Sequence, residues 1–235
     1  MKFGSVLLLL GIGSFGLLSG CGSTGVAVVR IIQVSPGTGA IDAFVSNTQL
    51  ASALTYSNAT SYVQVSDGSH TVELSPAGQD NTSLYKEVVA IYANTYLTIF
   101  AVNPSSSISE LVLTDNNSEP DAGDFKLRIV HASPSANPVD VYVTAPSTSI
   151  ANVPATFRNL SYQTAETYLQ LTAGSYEVRF TTPGTKTVIA DTAAFTPAVG
   201  DIDTVALADA PGGGAPYQAY DYVDAQWSNN TINPN

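Results

Sequence analysis

The 235-residue sequence is poor in the residues that most chemistry needs. It has one cysteine, Cys21, so no intrachain disulfide can form and stability must come from burial and backbone ladders. It has two histidines, His70 and His131, and they do not recur at matching places. No His-Glu-x-x-His motif, Gly-x-Ser-x-Gly elbow or phosphate-cradling glycine loop is present. Gly212-Gly213-Gly214 precedes no helical pattern and reads as a loop. Basic residues are few: 8 Lys and Arg against 19 Asp and Glu give a net charge of −11. A surface of that sign repels phosphate backbones, which excludes nucleic acid as a partner. Apolar runs long enough for a membrane helix are also missing, since about 20 residues are needed.

What the chain does have begins at its N-terminus. Lys2 is followed by apolar Val6–Leu10 and a glycine-interrupted stretch to Leu18. That is too short and glycine-rich to span a bilayer and reads as a targeting segment, residues 1–20. Leu18-Ser19-Gly20-Cys21 resembles the lipobox of bacterial lipoproteins. The resemblance implies that Cys21 is acylated and becomes the first residue of the mature protein. A lipidated Cys21 is not free to act as a nucleophile. Several acyl chains would anchor the protein firmly. Gly22 at the next position, by similarity to enterobacterial sorting, directs it to the outer membrane. The expected location is the cell envelope, with the exposed face unassigned.

The remaining chain repeats itself. Val29–Pro36 matches Leu127–Pro134 at an offset of 98, and Ile41–Val45 matches Val139–Val143. Leu54-Thr55-Tyr56 and Tyr62–Val65 match Leu160-Ser161-Tyr162 and Tyr168–Leu171 at an offset of 106. The change implies an eight-residue insertion near Pro146–Arg158, where a loop tolerates it. Leu113-Thr114-Asp115 is aligned with Leu207-Ala208-Asp209. The expected organisation is therefore a first unit at 26–115, a polar linker at 116–124, a second unit at 125–224 and a polar tail at 225–235, its end disordered.

Both units read as β. Ile41, Ala43 and Val45 alternate with Asp42 and Phe44, and Tyr176, Val178 and Phe180 with Glu177 and Arg179, the period of a strand. Gly68 and Gly174 precede strands where a hairpin needs positive φ. About seven strands are expected in the first unit, near 27–34, 41–46, 62–66, 70–75, 86–92, 95–102 and 108–114. Two tandem Ig-like antiparallel β-sandwich domains follow.

Arg128–Pro134 followed by Pro138–Val143 resembles the DUF4397 family. The first unit departs from it, with Gln33-Val34 in place of His131-Ala132 and Gly37-Thr38-Gly39 in the next loop. The resemblance spans nearly the whole chain after the targeting segment. It implies an envelope or secreted bacterial protein, commonly a lipoprotein with tandem copies, and no established activity.

The candidate functional residues follow from recurrence and charge. Asp42 and Asp140 recur and are framework residues, able to accept backbone N–H bonds after a Ser-Pro turn; as a pair they are also the best candidates for carboxylate hydrolysis. Arg30 and Arg128 recur and are expected to pair with the aspartate of their own unit. Asp115, Asn116, Glu119, Asp121 and Asp124, with Asp201 and Asp203, are oxygen ligands that a calcium ion between the units would want. Tyr56, Tyr62, Tyr162 and Tyr168 recur and read as packing residues, while Tyr217, Tyr220, Tyr222 and Trp227 cluster late in the chain. The expectation is a non-enzymatic envelope lipoprotein serving binding or structure, such as adhesion or surface assembly. Its partners would be the membrane, through the anchor, and a protein or glycan. The alternatives are a carboxylate-dependent glycan hydrolase and a calcium-stiffened adhesive module.

Overall fold

A computed structural model describes residues 25–79, 81–228 and 231–235. Cys21 and the targeting segment lie outside the described residues. The described chain is all-β, without a helix. Its first half contains β1 (Val26–Gln33), β2 (Ile41–Val45), β3 (Thr48–Leu54), β4 (Val63–Ser66), β5 (Gly68–Pro76), β6 (Tyr85–Ile91), β7 (Tyr96–Val102) and β8 (Ser109–Thr114). The second half contains β9 (Asp124–His131), β10 (Val139–Thr144), β11 (Phe157–Leu160), β12 (Thr164–Ala165), β13 (Leu169–Thr172), β14 (Glu177–Thr181), β15 (Val188–Asp191), β16 (Asp201–Ala208), β17 (Gln218–Ser228) and β18 (Thr231–Pro234).

Pairing follows the same order in both halves. The first has sheets β4-β1-β7-β8 and β3-β2-β5-β6; the second has β11-β10-β14-β15 and a sheet in which β12 and β13 flank β9, followed by β16, β17 and β18. Each half carries one parallel pair, β1 with β7 and β9 with β16, so the sandwiches are not purely antiparallel. Arg30 lies opposite Thr98 and Arg128 opposite Thr204. Thr98 then faces Leu113 on β8, and Thr204 faces Tyr222 on β17. The counterpart of Leu113-Thr114-Asp115 is therefore Tyr222-Val223-Asp224, not Leu207-Ala208-Asp209. The shared Leu-x-Asp pattern misled the alignment, because Leu207 sits on β16, the equivalent of β7.

The two halves pack directly against each other. Three apolar layers separate four stacked sheets. Val29, Ile31, Ile41, Ala43, Leu74 and Ile99 fill the first half, and Phe125, Leu127, Val139, Val141, Phe180 and Val205 fill the second. Between the halves lies a third core of Ile32, Val34, Phe100 and Val102 against Val130, Ala132, Ala206, Ala208 and Tyr222. Odd-numbered residues of β1 face their own sandwich and even-numbered ones face the other half. β1, β7, β9 and β16 are accordingly buried on both faces.

Three further expectations are corrected. The 116–124 segment is pinned: the Lys126 ammonium donates to Ser118 O and Oγ at 2.7 and 2.6 Å, and Trp227 Nε1 donates to Asn117 O at 2.9 Å. Residues 225–228 complete β17, and β18 folds back on it, so the tail is a hairpin and not a polar extension. Gly68 has φ +129 as its turn requires, but Gly174 has no positive φ. The insertion is the 145–156 connection between β10 and β11, replacing the two-residue turn Ser46-Asn47 between β2 and β3. Arg179 holds it through Thr148 O at 2.7 Å, and Ser147 N donates to Glu177 at 2.8 Å.

Candidate functional site

The two recurring arginines meet at the centre of the stack. Arg30 Nε donates to Thr98 Oγ1 at 3.0 Å, and Arg128 Nε donates to Thr204 Oγ1 at 3.0 Å. Each threonine passes the chain on: Thr98 donates to Asp115 at 2.9 Å and Thr204 to Asp224 at 2.6 Å. The same carboxylates accept the hydroxyls of Tyr62 at 2.6 Å and Tyr168 at 2.9 Å. Each guanidinium also lies over its own half's tyrosine, 4.8 Å from the Tyr62 ring centre and 4.9 Å from that of Tyr168.

The ion pairs cross between the halves. Arg30 pairs with Asp224, and Arg128 pairs with Asp115 at 2.7 Å and more loosely with Asp224 at 3.4 Å. All four charged groups are buried, with Arg30 1% and Asp224 0% exposed. Burial is the largest single effect and would lower the pKa of a lone guanidinium, but Asp224, Tyr62 and Asp115 together outweigh it and hold Arg30 above its ordinary value. The expected pairing of each arginine within its own unit is met only by the loose Arg128–Asp224 contact; the short pairs cross the central core. The physical reason is the strand face: Arg30 shares the even-numbered face of β1 with Ile32, which packs against the second half.

Asp42 and Asp140 serve backbone geometry. Asp42 accepts Ala53 N and Gly78 N, both at 2.7 Å; Asp140 accepts Asn159 N and Gly184 N at 2.9 and 2.8 Å. All four of those donors have positive φ, so each carboxylate ties two left-handed positions together. The two aspartates sit on the outermost sheets of the four-layer stack, roughly 30 Å apart at about 10 Å per layer. Paired glycosidase carboxylates lie within about 10 Å of each other, so this pair cannot share a scissile bond.

The calcium candidates are dispersed. Asp115 is taken by Arg128, Asp121 by Gln170, and Asp201 by Ala198 N and Gln226. Glu119 lines a surface cleft, and Asp124 opens β9. No group of three or more His, Cys, Asp or Glu side chains that could hold a metal ion occurs among the described residues. Asp203 is 2% exposed, with Oδ1 unpartnered. Burial, with Asp221 and Asp201 nearby, pushes its carboxyl up to about 9. Burial and the neighbouring Asp224 push the carboxyl of Asp221 up to about 6.

His131 is fully buried and its Nε2 donates to Asn137 O, 3.1 Å away; burial lowers its pKa. Gln33, at the equivalent register, braces the corresponding loop through Gly39 O. Two clefts flank the central network. One of about 580 Å³ is lined by Arg30, Thr60, Ser61, Asp221, Tyr222 and Asn235, among others. Its smaller counterpart, about 330 Å³, includes Arg128, Glu166 and Tyr168. Tyr222 is buried with its hydroxyl unpartnered.

Residues 27–142 match a family described as a domain of unknown function, DUF4397. They carry a DUF4397 domain. The match covers β1 through Tyr142 of β10, so it includes the whole first half and the opening of the second. No curated protein matches the chain. Among solved structures, the chain is similar to a family 41 carbohydrate-binding module from streptococcal virulence factors, described for alpha-glucan recognition. The identity is 10%, the coverage 83% of this chain and 96% of that one, and the TM-score 0.27. It is similar at 9% identity to a family 26 module from Eubacterium rectale solved with maltoheptaose, with 84% and 96% coverage and a TM-score of 0.24. TM-scores this low carry no argument about ligand or site.

The network residues that sequence reasoning missed are Thr98, Thr204 and Asp224. Thr98 and Thr204 share the 106-residue offset of the second matched block, which was a usable signal. Asp224 lies 109 residues after Asp115, an offset that neither of the two matched sequence blocks shares.

Proposed function

We propose that this chain is a lipid-anchored, non-catalytic protein of the bacterial cell envelope, built from tandem DUF4397 units and acting as a binding or structural module. The observation that carries this reading is the crossed network. The charged and polar residues recurring in both halves are Arg30 with Arg128, Thr98 with Thr204, Tyr62 with Tyr168, and Asp115 with Asp224. They are spent on one another, and Asp42 and Asp140 are spent on backbone amides. What recurs is thus committed to holding a stack of sheets in one arrangement, the property of a scaffold. The lipobox-like Leu18-Ser19-Gly20-Cys21 supports the anchor, and Gly22 supports the outer membrane.

The test has two stages. Cells expressing the chain are fed an alkyne-bearing palmitate, and incorporation is compared between the native chain and Cys21→Ser. Label in the native chain alone supports the anchor; equal label, or none, overturns it. Intact cells are then shaved with protease and blotted for the second half. Loss of signal without lysis supports a surface role in adhesion or assembly. Protection until the outer membrane is permeabilised removes that role and leaves an envelope-internal partner.

A further inference from the structure

We infer that the cleft beside Arg128 receives an extended peptide segment of a partner protein, one that carries lysine or arginine. This names the partner class of the binding module proposed above; it rests on that reading's claim of binding but not on its anchor. The two clefts that flank the central network are built from equivalent residues. Ala165, Glu166 and Thr167 stand in the smaller one where Ala59, Thr60 and Ser61 stand in the larger. Leu113 and Thr114 likewise stand where Tyr222 and Val223 do. The larger cleft has one further wall, Pro234 and Asn235 at the end of β18. Asn235 bridges the halves there: its carbonyl accepts Tyr62 N at 3.1 Å and its own N–H donates to Asp224 O at 3.2 Å. The chain thus lays its own extended backbone into the first cleft. In the second, of about 330 Å³, no segment among the described residues takes that place.

Polar groups are left over in the second cleft. Tyr168 N, the counterpart of Tyr62 N, has no hydrogen-bond partner among the described residues. Asp115 N donates to Tyr96 O at 2.8 Å, so Asp115 faces β7. The alternation of an antiparallel ladder then turns the N–H and C=O of Thr114 outward. β8 ends its sheet, so these outward groups meet no further strand. In the other half the same alternation turns Val223 O outward, and Arg30 Nη1 donates to it at 3.1 Å. Arg128 lacks that bond. It is 3% exposed and donates through Nε and Nη2, but its Nη1 makes no hydrogen bond among the described residues. A buried guanidinium with one unspent nitrogen at a cleft wall is an acceptor site for a carbonyl.

Tyr168 N, Thr114 N and Arg128 Nη1 need acceptors, and Thr114 O needs a donor. A peptide backbone supplies both at strand spacing, the recognition mode in which an extended segment adds to a sheet edge. An anion such as phosphate supplies acceptors only. It would also sit beside Glu166, which marks the difference between the clefts. Thr60 spends its hydroxyl on Ile31 N at 3.0 Å. Glu166, at the same register, is half-buried and makes no side-chain hydrogen bond or ion pair among the described residues. The second cleft therefore carries a carboxylate that the first does not, on a chain of net charge −11. Charge complementarity selects a segment with a basic side chain.

The purified full chain, labelled with nitrogen-15, is titrated with acetylated peptide amides. One is Thr-Ile-Asn-Pro-Asn, the sequence of residues 231–235. The others carry lysine, or glutamate, in place of both asparagines. The lysine peptide should shift the Tyr168 and Thr114 amide signals saturably and bind roughly tenfold tighter than the glutamate peptide. Glu166→Arg should reverse that order. Glu87→Gln, exposed on β6, should leave it unchanged, and melting temperatures confirm that each variant folds. Three results would overturn the inference: no saturable shift, shifts confined to Tyr62 and β18, or an order of affinities that Glu166→Arg does not alter. Sedimentation that shows a dimer of the native chain, dissolved by Glu166→Arg, would also overturn it, because the occupant would then be a second copy. None of these outcomes bears on acylation of Cys21, so failure here is distinguishable from failure of the anchor.

Discussion

Asp224→Ala is the most informative single change. Asp224 is fully buried and holds four partners: Arg30, Arg128, Tyr168 and Thr204. Its removal leaves two buried guanidinium groups facing one buried carboxylate, Asp115. Breaking a buried pair by deleting one partner costs about 3–5 kcal/mol, because the surviving charge stays desolvated. In a chain of this size each kcal/mol lowers Tm by about 2–4 °C, so a fall of about 6 to 20 °C is expected. Urea unfolding would be followed by Trp227 emission, which reports on the second half, and by far-ultraviolet circular dichroism, which reports on both. The two signals should move together, since the central core belongs to both halves. Replacing Arg30 by Met along with Asp224→Leu should recover much of the loss, because apolar substitutes need no compensation. A loss under about 1 kcal/mol, or two separate transitions in the native chain, would refute the claim that the crossed pairs join the halves.

Three other outcomes follow from the same geometry. The fold keeps Asp203 protonated, with its pKa raised from 3.8 to about 9. Its stability contribution is whole below pH 3.8 and is lost as pH rises through 9, so Asp203→Asn should stabilise the chain near pH 8 by about 2–4 kcal/mol and have little effect near pH 4; equal urea midpoints near pH 8 would count against it. Phe100→Ala removes a fully buried ring that meets Tyr222 edge-on at 6.3 Å, and should cost about 3–5 kcal/mol in urea unfolding. Gly200→Ala combines φ +91 with a contact 2.4 Å from Trp227 O; a loss above about 1 kcal/mol and a shifted tryptophan emission are expected.

The β class and much of the strand order were legible because alternation and glycine punctuation act locally. The strand β3 was missed: Thr48–Leu54 is alanine-rich, and Ala53 carries φ +53, a conformation imposed by Asp42 from another strand. β1 and β9 mix apolar with charged residues, so their sequence did not announce burial on both faces, nor what covers the second face. That depends on a sheet roughly a hundred residues away. The 116–124 segment was read as a linker because its residues are polar. Their partners, Lys126, Gln170 and Trp227, come from β9, β13 and β17 and give no local signal. The crossed ion pairs were illegible for the same reason. Recurrence identifies Arg30 and Arg128 but is silent on whether each binds within its own half.

The crossed pairs have the geometry of a self-complementary dimer contact, in which a group on one side meets its partner on the other and the reverse also holds. Here one chain carries both sides. Such a contact cannot be lost by dilution, because the second surface is always present at the effective concentration its connection sets. Nor must the two surfaces stay alike. A symmetric dimer writes every substitution twice, whereas this chain writes it once. It can keep Gln33 on one side and His131 on the other, or drape the 145–156 loop over only one outer sheet. Joining the two halves in one chain thus makes one-sided features available without disturbing the shared centre.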